Sequence, residues 1–185
     1  MNFRLLLLSV LGLFTIVSCN TVTIETSDQF NVVELPEGTI IYMNKNSELV
    51  YPKNFTQNRT VSLTGEAYFD VSKNGSPFNI KTEQGDILIT GTKLNVNTNN
   101  DELEVEVDEG AIEVTANKIK HAVKRGERIV YNAVKNNFNK EKGQRKFEGW
   151  MSQLDRDLNK LGNKMEKGIK KGSDKAGEKL KKIIK

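Results

Sequence analysis

The sequence predicts an all-β body of short strands in a β-solenoid-like or sandwich arrangement, followed by a C-terminal basic amphipathic helix. Three observations carry this reading. Turn-forming residues recur at short intervals, from Pro36-Glu37-Gly38 through Gly85-Asp86 and Gly110 to Gly126. The runs between them alternate apolar and polar residues, the period of a strand with one buried face. Near Asn139 the texture changes, and apolar residues begin to step by three or four, the period of a helix.

Residues 1–18 read as an export signal. Arg4 is followed by an apolar run from Leu5 to Val17, broken only by Ser9, Gly12 and Thr15. As a helix that run spans roughly 20 Å, short of the ~30 Å hydrocarbon core a transmembrane helix must cross. It ends in Ile16-Val17-Ser18-Cys19, which looks like a lipobox, and Cys19 is the only cysteine of the chain. A lone thiol cannot close an intramolecular disulfide, so lipidation of Cys19 is the expectation, with the mature protein held to the membrane by two or three acyl chains. Asn20, where Asp commonly signals inner-membrane retention, points to the outer membrane of a cell envelope. The absence of an acidic cluster just beyond favours its periplasmic face.

Residues 19–31 are a tether or a first strand, since Val22, Ile24 and Val32 alternate. The body follows over residues 32–137. Its clearest run is Thr60 to Val71, where Val61, Leu63, Gly65, Ala67, Phe69 and Val71 share one parity and Thr60, Ser62, Thr64, Glu66, Tyr68 and Asp70 take the other. Phe69 is therefore expected inside and Tyr68 outside. Leu103, Val105 and Val107 repeat the device against Glu102, Glu104, Glu106 and Asp108. Further strands are expected at Thr39 to Met43, Phe78 to Lys81, Ile87 to Thr90, Leu94 to Asn97, Ile112 to Thr115 and Glu127 to Val134. Many short strands with no helical period between them exclude an α/β organisation.

Residues 139–185 form the tail, with 15 Lys and Arg against 7 Asp and Glu, while residues 19–138 carry 12 against 17. The basic character thus belongs to the tail and the body is acidic. An apolar stripe runs through Phe147, Met151, Leu154, Leu158, Leu161, Met165, Ile169, Leu180 and Ile183, weakened by Gly149, Gly162, Gly168, Gly172 and Gly177. Each glycine costs about 1 kcal/mol against Ala in a helix interior, so the helix should be marginal alone. Trp150, Leu154, Leu158, Leu161, Met165, Ile169, Leu180 and Ile183 are the expected contacts with an anionic membrane surface or an envelope protein. An exported chain has no call to bind nucleic acid, and oligomeric state is not legible.

Chemistry is sparse. Glu66 and Asp70 lie four residues apart on one strand face, about 13 Å along the backbone, beyond the roughly 5 to 9.5 Å of paired glycosidase carboxylates. The Glu102 to Asp108 row reads better as a solvated, edge-protecting strand face than as a Ca²⁺ ladder. His121 is the only histidine and has no cysteine to join it, so neither a zinc site nor a Ser-His-Asp triad is expected. The glycines do not assemble a phosphate-cradling loop. No enzyme activity, cofactor or metal is expected.

The stretch Leu35 to Asn132 carries a family likeness. Leu35-Pro36-Glu37-Gly38-Thr39 leads to Asn44, Ser47, Leu49 and Tyr51-Pro52. Arg59-Thr60-Val61-Ser62-Leu63-Thr64-Gly65-Glu66-Ala67-Tyr68-Phe69-Asp70-Val71 comes next, then Pro77-Phe78, Gly91-Thr92-Lys93-Leu94-Asn95-Val96, Glu109-Gly110-Ala111-Ile112-Glu113-Val114 and Gly126-Glu127. In order and combination these resemble the extracytoplasmic domain of the FecR family of signalling regulators, in its Bacteroidetes style, with Lys93 and Leu94 where the family usually shows Arg and Phe. The resemblance implies short stacked strands. It marks Arg59, Gly65, Glu66, Ala67, Phe69, Val71, Pro77, Phe78, Gly91, Thr92, Asn95, Val96, Gly110 and Gly126 as architectural positions. With an export signal at the start, the chain is expected to lack the family's cytoplasmic anti-sigma region and to keep a binding or signal-relay role. The alternative is a structural lipoprotein tethering the membrane to another envelope layer.

Overall fold

The computed structural model describes residues 20–56, 58–73, 76–160 and 162–163. Within them fourteen strands form two seven-stranded sheets. The front sheet runs β1 (Thr21–Glu25), β4 (Glu48–Pro52), β5 (Thr60–Thr64), β7 (Phe78–Lys81), β8 (Asp86–Ile89), β11 (Ala111–Ala116), β12 (Ile119–Lys124). The back sheet runs β2 (Asn31–Glu34), β3 (Ile40–Met43), β6 (Glu66–Asp70), β9 (Lys93–Asn97), β10 (Glu102–Glu109), β13 (Glu127–Asn132), β14 (Asn137–Lys142). A helix, α1 (147–160), follows.

The two architectures left open by the sequence are reconciled here. The layers are those of a sandwich, yet the chain alternates between them and advances steadily from the β1 and β2 edge to the β12 and β14 edge. Each strand therefore pairs with strands close in sequence. All pairings among the described strands are antiparallel except β5 with β7.

Alternation along each strand points one set of side chains into the space between the sheets. Ile41, Met43, Ala67, Phe69, Leu94, Val96, Leu103, Val105 and Ile129 come from the back sheet, and Leu49, Val61, Ile80, Ile87, Ile89, Val114 and Val123 from the front, all buried in one core. Phe55, in a loop the sequence reading passed over, plugs one end of this core, edge-on to Tyr51 and Phe78 at ring distances of 5.9 and 5.8 Å.

The run from Thr60 to Val71, which alternates as one strand, is two. It breaks at Gly65, whose φ of +91° carries the chain from the front sheet to the back. A Cβ there would fall 2.5 Å from the Ser47 hydroxyl oxygen and 2.7 Å from the Asn46 carbonyl, so only glycine permits the crossing. Parity survives because both strands face the same core from opposite sides.

Four strands lay outside the expected set: β2, β4, β12 and β14. β14 also moves the boundary of the body. Residues 137–142, assigned in part to the helical tail, pair in full register with β13, from Glu127 opposite Lys142 to Asn132 opposite Asn137. Their polar composition, Asn-Phe-Asn-Lys-Glu-Lys, hides the strand, because an edge strand needs only one partner and little burial.

The strand ends define two ends of the sandwich. At one, here the Gly65 end, lie the turns 44–47, 64–66, 82–86, 97–102 and 116–119. At the other, the Gly110 end, lie the connections 34–40, 52–60, 89–93, 109–111 and 124–127.

Candidate functional site

The outer face of the back sheet is where polar chemistry and a covering element meet. Here the expectation for Tyr68 fails. It points away from the core as its parity requires, yet it is only 7% exposed, because α1 lies over it. Phe147, at the start of α1, sits 5.1 Å from Tyr68 ring to ring and is itself buried, and Tyr42 flanks Tyr68 across the β3–β6 register at 6.2 Å. The Tyr68 hydroxyl donates to Asp108 at 2.9 Å. Burial and that carboxylate both disfavour the phenolate and push the Tyr68 pKa well above its ordinary value.

Asp108 also accepts from the Arg145 guanidinium at 2.6 Å, and the Arg145 amide donates to Glu106 at 2.7 Å. Arg145 leads into α1, so two successive carboxylates of one strand face fix where the helix starts. Farther along, Trp150 stacks on Phe30 with ring centroids 6.0 Å apart, and Leu154 is buried. Tyr42, Tyr68, Asp70, Lys93, Asp108, Arg145 and Met151 line an open polar cleft of about 590 Å³ beside the helix.

The carboxylate row Glu102 to Asp108 is thus neither a solvated face nor an edge. β10 is interior to the sheet, with β9 and β13 on either side, and Glu106 is 4% exposed. Arg128 on β13 takes Glu104 in a two-pronged grip, both contacts 2.5 Å, and reaches Glu141 on β14 with its third nitrogen. The fork geometry suits arginine rather than lysine. Glu66 accepts from the side-chain amides of Asn44 at 2.7 Å and Asn95 at 2.9 Å, tying β3, β6 and β9 together. Asp70 pairs with Lys93 at 3.3 Å and raises the ammonium above its usual range. Glu66 and Asp70 therefore work apart.

The family-motif positions divide cleanly. Ala67, Phe69, Val71, Phe78 and Val96 are core residues, and Thr92 and Asn95 are buried polar ones. The Thr92 hydroxyl donates to the Ala111 carbonyl at 3.2 Å. Pro77 is exposed just before β7. Gly91, Gly110 and Gly126 take positive φ at the Gly110 end.

Arg59 is the unusual member. Its guanidinium is buried, donating to the Ser76 and Ser72 carbonyls at 2.5 and 3.0 Å and pairing with buried Glu37 at 3.2 Å, over the Phe78 ring. The Thr39 hydroxyl completes the cluster, donating to Glu37 at 2.6 Å and accepting the Ser72 amide at 3.1 Å. One arginine thereby joins the 35–39, 52–60 and 71–77 connections. Glu37 as its partner, and Phe30 as the partner of Trp150, were missed from sequence. Both are long-range pairings of residues that read locally as turn or loop.

Of the expected tail contacts, Trp150 and Leu154 are engaged with this chain's own body, and Leu158 is 46% exposed beside the cleft lined by Asp28, Phe30 and Lys45. Leu161, Met165, Ile169, Leu180, Ile183 and Cys19 lie outside the described residues. His121 packs against Phe138 at 4.1 Å, joining the two sheets at their far edge. Among the described residues there is no acidic, histidine or cysteine group suited to a metal, and no helix long and apolar enough to cross a membrane.

Fold and site together define a two-sheet β-sandwich module whose polar outer face is closed by its own C-terminal helix. Residues 22–113 match the FecR protein family, so the chain carries a FecR domain. Two crystal structures of a candidate anti-sigma factor from Parabacteroides distasonis ATCC 8503, at 2.50 and 1.65 Å resolution, are similar to it. Both are 28% identical with a TM-score of 0.66, covering 71% and 70% of this chain and 64% of the other. The similarity therefore spans just under two thirds of that protein's length. No curated protein matches.

Proposed function

We propose that this protein is an envelope-anchored, non-catalytic binding or signal-relay lipoprotein of the FecR type, held by acylated Cys19 at the outer membrane and facing the periplasm. The observation that carries the reading is the FecR domain itself, and similarity to a candidate anti-sigma factor supports a regulatory role over an enzymatic one.

The outer face supplies a physical means of relay. A relay needs two states whose balance a partner can bias. Docked α1 buries Tyr68, and a short helix draws most of its stability from such packing rather than from propensity. Its polar fastening, Arg145 on Asp108, is half exposed and so weak in water. A partner that bound Tyr42, Tyr68 and the β10 carboxylates would compete with α1 for them.

Two experiments test this. In cells, Cys19→Ala should abolish labelling by an alkyne fatty acid and leave an unprocessed precursor; labelling that survives removes the anchor. A photo-crosslinking residue at Lys93, beside the cleft, should capture a transport or signalling protein. Capture of peptidoglycan or abundant structural envelope proteins would favour the tethering role instead.

A further inference from the structure

We infer that the Gly110 end of the sandwich is a docking surface for anionic lipid headgroups, which fixes the domain upright on the membrane that holds it. The inference rests on acylation of Cys19 as read above. Asn20, the next residue, is already part of the fold, its carbonyl accepting the Lys53 amide at 2.9 Å, and β1 starts at Thr21. Two residues of extended chain reach roughly 7 Å. That is shorter than the ~8 Å Debye length at physiological ionic strength, so charges on this end are not screened from the headgroups.

Those charges are mostly positive. Lys53 follows β4, Lys73 follows β6, Lys124 and Arg125 form the β12–β13 turn, and Lys142 ends β14. All five are exposed, and none is in an ion pair with another described residue. The exposed acids of this end are Glu34 and Glu109. At the Gly65 end exposed Glu25, Asp28, Glu83, Asp86 and Asp101 are nearly matched by exposed Lys81, Lys118, Lys120 and Lys135, so that end carries no basic excess. The domain is therefore polarised along its strands, basic end toward the anchor.

Placement matters as much as sign. β1 and β12 are opposite edges of the front sheet, six strand spacings or roughly 29 Å apart. An anchor at the β1 edge alone would let the domain tilt. Lys53 near that edge, Lys73 between, and Lys124 with Arg125 at the far edge hold the whole end down. Over its described residues α1 leaves this end, where Arg145 just before it pairs with Asp108, and reaches Lys160 beside Asp28 and Lys45 at the other.

The test uses the full mature chain with Cys19→Ser, so that acylation does not drive binding, and vesicles of equal parts phosphatidylglycerol and phosphatidylcholine. Lys53→Glu, Lys73→Glu and Arg125→Glu together should lower partitioning at least 100-fold, at roughly fivefold per basic residue lost. The matched set Lys81→Glu, Lys118→Glu and Lys135→Glu, at the Gly65 end, should change it by less than about threefold. Equal losses, or none from the first set, overturn the surface; circular dichroism confirms that both variants are folded. Fatty-acid labelling of Cys19 is read separately. If the contrast holds and Cys19 is unlabelled, the surface stands and the anchor fails.

Discussion

The two faces of the back sheet are built from the same strands and solve opposite problems. Inside, β6 and β10 present Ala67, Phe69, Leu103, Val105 and Val107, all buried against the front sheet with no polar atom to satisfy. Outside, the same strands present Glu66, Tyr68, Glu104, Glu106 and Asp108, and each of these finds a hydrogen-bonding partner. The inner face is held by area removed from water, which is non-directional and large. The outer face is held by directed contacts, each modest in net worth and costly only when left half-made. The contrast teaches where the molecule is stiff and where it is open to exchange.

The largest expected effect lies inside. Phe69→Ala should cost about 3–5 kcal/mol in urea unfolding, through the lost ring and the cavity left beside Phe78. A loss under about 1 kcal/mol would mean that the inner face collapses to fill the gap, and the contrast would weaken. Next comes Arg128→Met, which leaves Glu104 and Glu141 facing each other without their shared cation. Breaking a fully buried pair costs 3–5 kcal/mol; these carboxylates keep some water, so about 2 kcal/mol is expected. Adding Glu104→Gln should recover part of it, and no recovery would show that packing of the arginine stem, not its charge, was lost.

Tyr68→Phe keeps the ring beneath Phe147 and removes only the bond to Asp108, for about 1 kcal/mol at neutral pH. The same residue has a pH signature. Its folded pKa lies above the unfolded value, so its contribution is intact below about pH 10 and is lost as pH rises beyond it, when the unfolded chain releases the proton first. The wild type should lose stability above pH 10 more steeply than Tyr68→Phe, by parallel unfolding curves; identical slopes would mean the hydroxyl is solvated. The smallest effect is Arg145→Ala, an exposed pair worth at most a few tenths of a kcal/mol to the fold. It should nevertheless raise hydrogen exchange across 147–154, since it loosens the helix without touching the core.

The inner face was legible in the sequence and the outer face was not. Parity placed Phe69, Ala67, Val105 and Val107 correctly because burial between two sheets needs only alternation, a property of neighbours two residues apart. The same rule sent Tyr68 to solvent, since nothing local to β6 shows that Phe147, far along the chain, will cover it. The acidic row misled for a related reason: alternating Glu on a strand looks like a protected edge until β13 and β14 bring Arg128 and Glu141 beside it. β14 escaped notice because its polar residues carry no hydrophobic period.

By itself, then, the sequence determined the class of fold, the inward face of most strands, the glycine turns and the family likeness, all of which depend on short-range patterns that physics reads one turn or one strand at a time. Only the tertiary structure decided that the run from Thr60 to Val71 splits between sheets at Gly65, that Arg59 clamps three connections through Glu37, and that the helix closes over Tyr68. Those are choices among distant partners, and their energies exist only once the chain has brought the partners together.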